Sequence, residues 1–277
     1  MECMNLILKA SLGQTKTILV VIPTLGERLD MLEECLKSIF SQNCNVRVVL
    51  VFPTTKYSNM KVVQRRYPRL VLEAQDLKFI PALNYAIKNN PDCEYFTLIC
   101  DDDLLANNCL QRSVTKLELN PKIVGVYGAI EYIDQKGMKI GKWNPPIFAK
   151  KINLFIPSAI KIEGALFRME IIRKIEEIPE SIDWAVADIY LILQVCRFGD
   201  LEKLKGLPVA KYRMHSDSTS NKYPYKVNYE GWKVQLRWGG LVQKFLVLTL
   251  GPVFIFVKIS GLKLMLFKNR IGFMRFK

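Results

Sequence analysis

The sequence predicts an α/β fold in which a mostly parallel β-sheet carries helices on both faces. Over residues 17–128, short β-prone apolar segments alternate with amphipathic, helix-like segments, and this alternation is typical of βαβ units. Half of the 277 residues are hydrophobic, which suffices for one large domain or two small ones. Ligands of such sheets bind at the carboxyl ends of the strands, so polar residues at those ends are the candidate site.

The first predicted strand, residues 18–22, is an apolar, mostly β-branched run that stops at Pro23. In the helix that follows, apolar residues recur at positions 29, 32, 36 and 39, which share one helical face. The next predicted elements are a strand at 46–51, a helix at 61–67, a strand at 70–72, a helix at 81–88, a strand at 95–100, a helix at 107–119 and a strand at 123–127.

The pattern changes after residue 130. A hairpin is predicted over residues 132–140, because the segment 135–137 ends in a glycine that favours a turn. Residues 185–198 are apolar nearly all round, so this helix is expected to be buried. The remaining predictions are a strand at 160–167, the start of a helix at 170–175 and a strand at 208–214.

Three consecutive aspartates, Asp101, Asp102 and Asp103, directly follow the predicted strand at 95–100. Three carboxylates at one point of the sheet rim repel one another and need a counter-charge. Mg²⁺ or Mn²⁺ would supply it, because hard cations take oxygen ligands and commonly bridge to phosphate. The alternative is a solvated acidic turn that caps the helix beginning near Asn107.

Composition argues against several other kinds of site. Seven cysteines, one histidine and no CxxC pair do not fit a zinc site or a disulfide framework, and reduced thiols favour a cytoplasmic protein. The short first apolar run is not typical of a signal peptide. After Glu230 there are nine basic residues and no acidic one. Most of the net charge of +14 therefore belongs to the C-terminal segment, so we expect no nucleic-acid partner for the folded body.

The C-terminal segment, residues 231–277, is basic and apolar. Its uncharged stretch at 245–257 has thirteen residues, fewer than the roughly 20 that a membrane-spanning helix needs. Lys258, Lys263 and Lys268 recur every five residues and would not share one helical face. We expect a broken segment lying on anionic lipid at the inner face of the membrane. The alternative is a helix packed on the body or on a second subunit.

Five motifs, taken in order, resemble glycosyltransferase family 2, the inverting, nucleotide-sugar-dependent enzymes with a GT-A fold. The resemblance covers about residues 16–220. The motifs are ILVVIPTLGER at 18–28, PALNYAI at 81–87, LICDDDLL at 98–105, AD at 187–188 and YRMH at 212–215.

The resemblance implies a divalent cation, Mn²⁺ or Mg²⁺, that neutralises the departing diphosphate. Asp102 would be a metal ligand, Asp101 would contact the ribose or the metal, and Asp103 is the alternate ligand. His215, the only histidine, would be a further metal or diphosphate contact. Arg213 would contact the diphosphate.

The resemblance also implies a nucleotide-binding set in the first half of the chain. Pro23, Thr24, Glu27 and Asn84 stand where the family has its nucleotide loops, although their ordinary role is turn and capping chemistry. After the second strand the family usually has acidic residues, whereas this chain has FPTT at 52–55. Asp76 is the candidate replacement for the contact to the base.

Inversion requires a general base on the sugar face opposite the leaving group. Asp188 stands at the family's position for this base and is the only carboxylate in residues 184–198. The alternative for Asp188 is a first-turn helix residue paired with an arginine. Asp183 fits a helix N-cap or a contact to acceptor hydroxyls, and Trp184 fits either a sugar-stacking ring or a buried aromatic.

These inferences give a GT-A domain at 1–230, with a nucleotide-sugar half at 1–128 and an acceptor and catalytic half at 129–230, followed by a membrane-associating tail at 231–277. The expected partners are a nucleotide-diphosphate sugar, a glycan or lipid-linked acceptor and an anionic membrane surface. A nucleotidyltransferase is less favoured, because the loop after the first strand has one glycine and one arginine. An inactive membrane-surface or nucleic-acid-binding protein is the other alternative. The sugar, nucleotide, acceptor and oligomeric state stay open.

Overall fold

The structure, a computed structural model, describes residues 16–146, 159–175, 177–215, 222–241, 244–245 and 247–249. Within these residues, two β-sheets form. The main sheet has seven strands: β1 (Thr17–Pro23), β2 (Asn45–Phe52), β3 (Leu70–Ala74), β4 (Tyr95–Leu98), β6 (Ile123–Tyr127), β9 (Leu166–Arg168) and β10 (Asp200–Lys203). The smaller sheet has four strands: β5 (Leu104–Leu105), β7 (Ile130–Ile133), β8 (Lys139–Trp143) and β11 (Ala210–Arg213).

The main sheet has the strand order β10-β6-β9-β4-β1-β2-β3 and is parallel except for β9. Strand β9 runs antiparallel between β4 and β6. The smaller sheet has the order β5-β11-β7-β8. All six parallel strands therefore present their carboxyl ends at one edge, and β5 lies just beyond the end of β4.

The helices in the described residues pack on both faces of the main sheet. They are α1 (Leu29–Phe40), α2 (Tyr57–Arg66), α3 (Phe79–Lys88), α4 (Cys109–Leu119), α5 (Met169–Lys174), α6 (Ala187–Phe198) and α7 (Pro224–Trp238). Short 3₁₀ turns occur at Thr54–Lys56 and Trp184–Val186.

The apolar residues of β1 divide between two cores because successive side chains of a strand point to opposite faces. Ile18, Val20 and Ile22 pack with α1, α2 and α4. Leu19 and Val21 pack with α3, α5 and α6. Both faces of the sheet are thus covered, as the continuous apolar strand predicts, and the predicted fold class is confirmed.

Several local predictions differ from the structure. The strand predicted at 160–167 is reduced to β9, because Glu163 and Gly164 form a turn. The helix predicted from residue 185 begins as a 3₁₀ turn, and α6 starts at Ala187. Strands β5 and β10 and helix α7 were not predicted.

Helix α7 packs against α6. The Trp238 ring meets Tyr190 edge-on, with 5.3 Å between ring centroids, and Lys226 pairs with Asp183 at 2.8 Å. The predicted domain limit at residue 230 falls inside this helix. Most of the segment at 245–257, and the lysines that follow it, lie outside the described residues. Among the described helices, none combines the length and the hydropathy needed to cross a bilayer.

Candidate active site

The three aspartates lie buried at the carboxyl end of β4. Asp101, Asp102 and Asp103 are 3%, 8% and 1% exposed. Carboxylates are seldom buried unless they are paired or hydrogen-bonded, so each of these must have partners. The alternative of a solvated acidic turn is wrong, because these side chains are removed from solvent.

The strand register brings the loop after β1 to the aspartates. Val21 pairs with Leu98, and three residues further along each chain Thr24 meets Asp101. The Thr24 hydroxyl donates a hydrogen bond to Asp101 Oδ2 and accepts one from the Gly26 amide at 2.9 Å. Gly26 has φ +69°, a conformation that favours glycine, so its position lets the loop turn back toward the aspartates.

Arg28 supplies the counter-charge to the first two aspartates. Its Nη2 lies 2.5 Å from Asp101 Oδ1 and its Nη1 lies 2.6 Å from Asp102 Oδ2. Burial raises the pKa of Asp101, and the Thr24 hydrogen bond and the Arg28 charge only partly oppose this effect. Arg28 belongs to a motif quoted above, but no site role was predicted for it.

His215 joins the cluster from the end of β11. Its Nε2 lies 2.8 Å from Asp102 Oδ2 and 3.1 Å from Arg28 Nη1. The side chain is buried. The structure therefore brings His215 to the aspartates across more than a hundred residues of sequence, because β11 pairs with β5, directly after the aspartates.

Arg213 forms hydrogen bonds to the loop that carries the three aspartates, called here the aspartate loop. Its amide donates to Asp103 Oδ1 at 2.8 Å, and its Nε donates to the Asp102 carbonyl at 2.9 Å. Its guanidinium also reaches the Gln135 carbonyl at 2.9 Å and Glu34 Oε2 at 2.5 Å. Because Arg213 is 1% exposed and its donors are directed at protein acceptors, it fixes the position of the loop.

Replacing Arg213 by glutamine should lower the free energy of unfolding by about 3 kcal/mol, because breaking a buried ion network leaves polar groups unpaired. Urea unfolding measures this change. Arg66→Gln, which removes an exposed pair with Glu33, should cost less than about 1 kcal/mol. Equal costs for the two variants would contradict a structural role for Arg213.

The donor set around the aspartates fits a hard divalent cation. Cys100, Asp102 and Asp103 each offer a ligand atom, and these atoms lie within 4.8 Å of one another. Burial and the nearby carboxylates raise the pKa of the Cys100 thiol well above its usual value, and a neutral thiol is a poor ligand. Of this group, the Asp102 and Asp103 carboxylates are therefore the suitable ligands. The His215 imidazole lies beside them, 2.8 Å from Asp102 Oδ2, and Mn²⁺ accepts both oxygen and nitrogen.

Half-buried Lys161 and buried Glu163 form a second charged group that was not predicted. The Lys161 ammonium lies 5.6 Å from the centroid of the Tyr212 ring. Glu163 is buried, and its Oε2 has no hydrogen-bond partner among the described residues. Burial raises the pKa of Glu163, Lys161 opposes this rise, and Asp188 adds to it. The sequence did contain a signal for this group, since Lys161 and Glu163 place two charges in the otherwise apolar segment at 160–167.

Asp188 lies in the first turn of α6 and acts electrostatically on this group. Its charge helps to raise the pKa of Lys161, which burial alone would lower. The charge of Glu163 in turn helps to raise the pKa of Asp103, after burial and the repulsion from Asp102. Electrostatic interactions thus connect the start of α6 to the aspartates through Lys161 and Glu163.

Gly164 fixes the turn that carries Glu163. It has φ +70°, and a Cβ at this position would lie 2.7 Å from the Val209 carbonyl oxygen. No other residue fits this space without moving the backbone. The close approach holds the turn against the chain just before β11.

Three other residues predicted to bind the nucleotide, Asp76, Pro23 and Glu27, lie at the same edge of the sheet as the aspartates. Asp76 follows β3 and accepts hydrogen bonds from the Thr54 amide at 2.8 Å and hydroxyl at 2.6 Å, which lower its pKa. Pro23 ends β1, and Glu27 is exposed in the loop that follows. All three lie at the carboxyl edge of the sheet.

The side chain of Asn84 is hydrogen-bonded to the backbone of another segment of the chain. Its side-chain amide donates to the Ile178 carbonyl at 2.9 Å and accepts from the Ile178 amide at 3.0 Å. It therefore connects α3 to the segment after α5. Asp183 caps the 3₁₀ turn at Trp184–Val186, as predicted, and Trp184 is 52% exposed, so the interpretation of Trp184 as a buried aromatic is wrong.

Comparisons with solved structures find the same architecture. Staphylococcus aureus TarS 1-349 superposes with a TM-score of 0.59 at 14% identity, covering 83% of this chain and 69% of that one. The complex of TarS 1-349 with UDP-GlcNAc superposes with a TM-score of 0.58 at 12% identity, covering 84% of this chain and 70% of that one. The mannosyltransferase PcManGT from Pyrobaculum calidifontis, in complex with GDP-Man and Mn²⁺, gives 0.56 at 16% identity, covering 94% and 84%. A search of curated proteins finds no match.

The fold is that of the GT-A glycosyltransferases. Residues 19–176, more than half of the chain, match the profile of Glycosyl transferase family 2. The chain belongs to this family, and the resemblance inferred from the five motifs is confirmed.

Proposed function

We propose that this glycosyltransferase transfers a sugar, with inversion, from a nucleotide-diphosphate sugar to a glycan or lipid-linked acceptor. The observation that carries the proposal is the buried aspartate cluster at the carboxyl edge of the sheet, joined by Thr24 and His215. The complexes of similar structures with UDP-GlcNAc and with GDP-Man and Mn²⁺ support a donor of this class.

The donor diphosphate needs positive charge beside it as it departs. Asp101, Asp102 and His215 would hold Mn²⁺ or Mg²⁺, with Asp103 as the alternate ligand, and the cation would supply Lewis-acid stabilisation of the diphosphate. Thr24 holds Asp101 through its hydroxyl. Arg213 supports Asp103 through its backbone amide and is proposed to act on the diphosphate by fixing this loop.

The nucleoside is proposed to bind over the ends of β1, β2 and β3. Asp76 is exposed there, and its hydrogen bonds to Thr54 hold its carboxylate ionised and oriented. An oriented carboxylate accepts hydrogen bonds from base N–H groups. Pro23, Glu27 and Asn84 complete the proposed nucleotide loops, with Asn84 acting by holding α3 in place.

Asp188 is the proposed general base. It would take the proton of the acceptor hydroxyl as the new bond from this oxygen to the anomeric carbon forms and the bond from that carbon to the diphosphate oxygen breaks. Lys161 and Glu163 lie within its electrostatic influence. Helix α6 is buried along most of its length, so its first turn is held rigidly.

Calorimetric titration of the full chain with UDP-, GDP- and TDP-sugars, each with and without Mn²⁺, tests the proposal. At least one nucleotide sugar should bind, and binding should strengthen about 10-fold or more with the metal. Binding of none of these donors in either condition would leave the proposed function without support.

A lysine-lined cavity supports an anionic acceptor or membrane surface. A cavity of about 210 Å³ is lined in part by Lys142, Lys203 and Lys205, and no carboxylate lines it. In the described part of the chain these three lysines form no ion pair, whereas Lys116 on α4 and Lys139 on β8 pair with Glu202 and Glu131. The cavity lies at the ends of β6 and β10, the edge that carries the aspartates.

We propose that these lysines hold the anionic headgroup of a lipid-linked acceptor and that the enzyme binds peripherally to the inner face of the membrane. The basic tail at 231–277 is proposed to act at the same surface. This arrangement would keep the active site beside its acceptor.

Replacing Lys142, Lys203 and Lys205 together by glutamine should weaken binding to vesicles containing anionic lipid at least about 10-fold, since each lysine near such a surface contributes about 1 kcal/mol. Vesicle co-sedimentation measures this effect. The matched control replaces Lys37, Lys88 and Lys122, which are exposed and lie toward the opposite edge of the sheet. An equal loss of vesicle binding in both triple variants would show that only the net charge of the protein matters, and it would contradict a specific role for the cavity lysines.

A further inference from the structure

Arg28 contacts three of the side chains proposed as metal ligands: Asp101, Asp102 and His215. Its guanidinium lies 2.5 Å from Asp101 Oδ1, 2.6 Å from Asp102 Oδ2 and 3.1 Å from His215 Nε2. The second oxygen of Asp101 is taken by the Thr24 hydroxyl. A positive group of this chain thus lies among the oxygen and nitrogen atoms that suit a divalent cation.

Two cations compete for these atoms. A metal ion and a guanidinium N–H both use the lone pairs of the same carboxylate oxygen, and Asp102 Oδ2 already serves both Arg28 and His215. Like charges at such close range also repel. A metal ion bound by Asp101, Asp102 and His215 therefore requires Arg28 to withdraw.

Arg28 is placed so that it is able to move. Its side chain is 39% exposed, and it sits at the N-cap of α1 without a side-chain capping bond. Arg213, by comparison, is 1% exposed and is held by Glu34 and by backbone carbonyls. Of these two arginines, Arg28 is the displaceable one and Arg213 is the fixed one.

The withdrawn side chain has a natural new partner. A guanidinium offers five donors in a rigid fork, which matches phosphate oxygens in a bidentate way. Arg28 lies in the loop after β1, at the edge of the sheet where the donor diphosphate is proposed to bind. An arginine released from two carboxylates there would meet the anionic donor.

We propose that Arg28 is the resident cation of the aspartate site: it gives way to the divalent metal and is then a ligand of the donor diphosphate. This inference rests on the proposed function. Its consequence is coupling, because metal binding frees the arginine for the diphosphate and the diphosphate in turn favours the form that binds metal. Mn²⁺ and diphosphate should therefore bind far better together than separately.

The test is a titration of the full chain with Mn²⁺, with and without inorganic pyrophosphate. Electron paramagnetic resonance measures the concentration of free Mn²⁺ at each step. Arg28→Gln should bind Mn²⁺ alone about 10-fold more tightly than the unaltered chain, because the competing cation is gone. The gain in Mn²⁺ affinity on adding pyrophosphate, corrected for the Mn²⁺–pyrophosphate complex in solution, should shrink about 10-fold in this variant.

Arg28→Lys distinguishes two effects of Arg28 on Mn²⁺ binding: occupation of the carboxylate oxygens by its guanidinium and repulsion by its positive charge. Lysine keeps the charge but lacks the fork that bridges two carboxylates, so its Mn²⁺ affinity should move toward that of Arg28→Gln. Arg47→Gln is the control, because Arg47 makes a comparable two-bond pair with Asp92 near the amino end of β2. Near-ultraviolet circular dichroism shows whether each variant keeps its packed core.

Several outcomes would overturn the inference. Unchanged or weaker Mn²⁺ binding in Arg28→Gln would show that Arg28 supports the site and does not compete for it. Arg28→Lys behaving as the unaltered chain would show a charge effect without occupancy. No Mn²⁺ uptake by any variant would remove both this inference and the proposed metal. Tighter Mn²⁺ binding by Arg28→Gln, in a chain that binds no nucleotide sugar, would leave the inference standing and contradict only the proposed function.

Discussion

Asp102→Asn should reduce sugar transfer by about 100-fold to 1,000-fold, the usual effect of removing a group that stabilises developing charge. Both Arg28 and His215 contact Asp102 Oδ2. Asparagine keeps the shape of the side chain but removes its charge, so any cation there loses an anionic ligand. Turnover of the donor identified by titration, measured over a range of Mn²⁺ concentrations, gives the effect.

The control for this change is Asp92→Asn. Asp92 is an exposed aspartate whose partner is Arg47, and it precedes β4, whereas Asp102 follows it. Its replacement should leave turnover within about 2-fold, because exposed pairs contribute little. Full turnover by Asp102→Asn with unchanged Mn²⁺ dependence would be incompatible with a metal at this position.

Asp188→Asn should lower kcat by about 100-fold to 10,000-fold, the range expected for loss of a general base. Donor binding should stay within about 3-fold, because the nucleotide is proposed to bind over β1, β2 and β3, away from α6. Steady-state kinetics give kcat, and titration gives the donor affinity. A fall in donor affinity that accounts for the lost turnover would argue for a binding role instead.

Asp183→Asn is the matched comparison for Asp188. Asp183 precedes the same helix and is a carboxylate too, but it caps the 3₁₀ turn and pairs with Lys226. Its loss should affect stability by about 1 kcal/mol and leave kcat nearly intact. If Asp183→Asn proved the more damaging change to kcat, the base would have to be reassigned.

The sequence was most informative where apolar periodicity is strong. The first strand, the buried helix at 185–198 and the aspartates after β4 were all predicted, since a five-residue apolar run and a helix that is apolar nearly all round have few alternative structures. The hairpin was predicted from the turn residues 135–137, and in the structure Gly137 has φ +79°. These elements depend mainly on local pattern.

The elements that escaped prediction depend on distant partners. Strand β10 reads DLEK and is a strand because it pairs with β6. The counter-charge that Arg28 supplies had the same difficulty, because the register of β1 with β4 brings it to the aspartates. Arg213 was predicted as a diphosphate contact, but its hydrogen bonds to the aspartate loop depend on the pairing of β11 with β5. Single-sequence patterns carry no record of such contacts.

The antiparallel strand β9 has a consequence for how the polypeptide reaches its final form. It supplies the hydrogen-bonding partner of both β4 and β6, yet it is synthesised well after either of them. Until it arrives, two strand edges at the centre of the sheet stay open, and open edges are where nascent chains associate wrongly. Residues 17–127 therefore do not complete the main sheet by themselves, and the centre of the sheet closes only when β9 is in place.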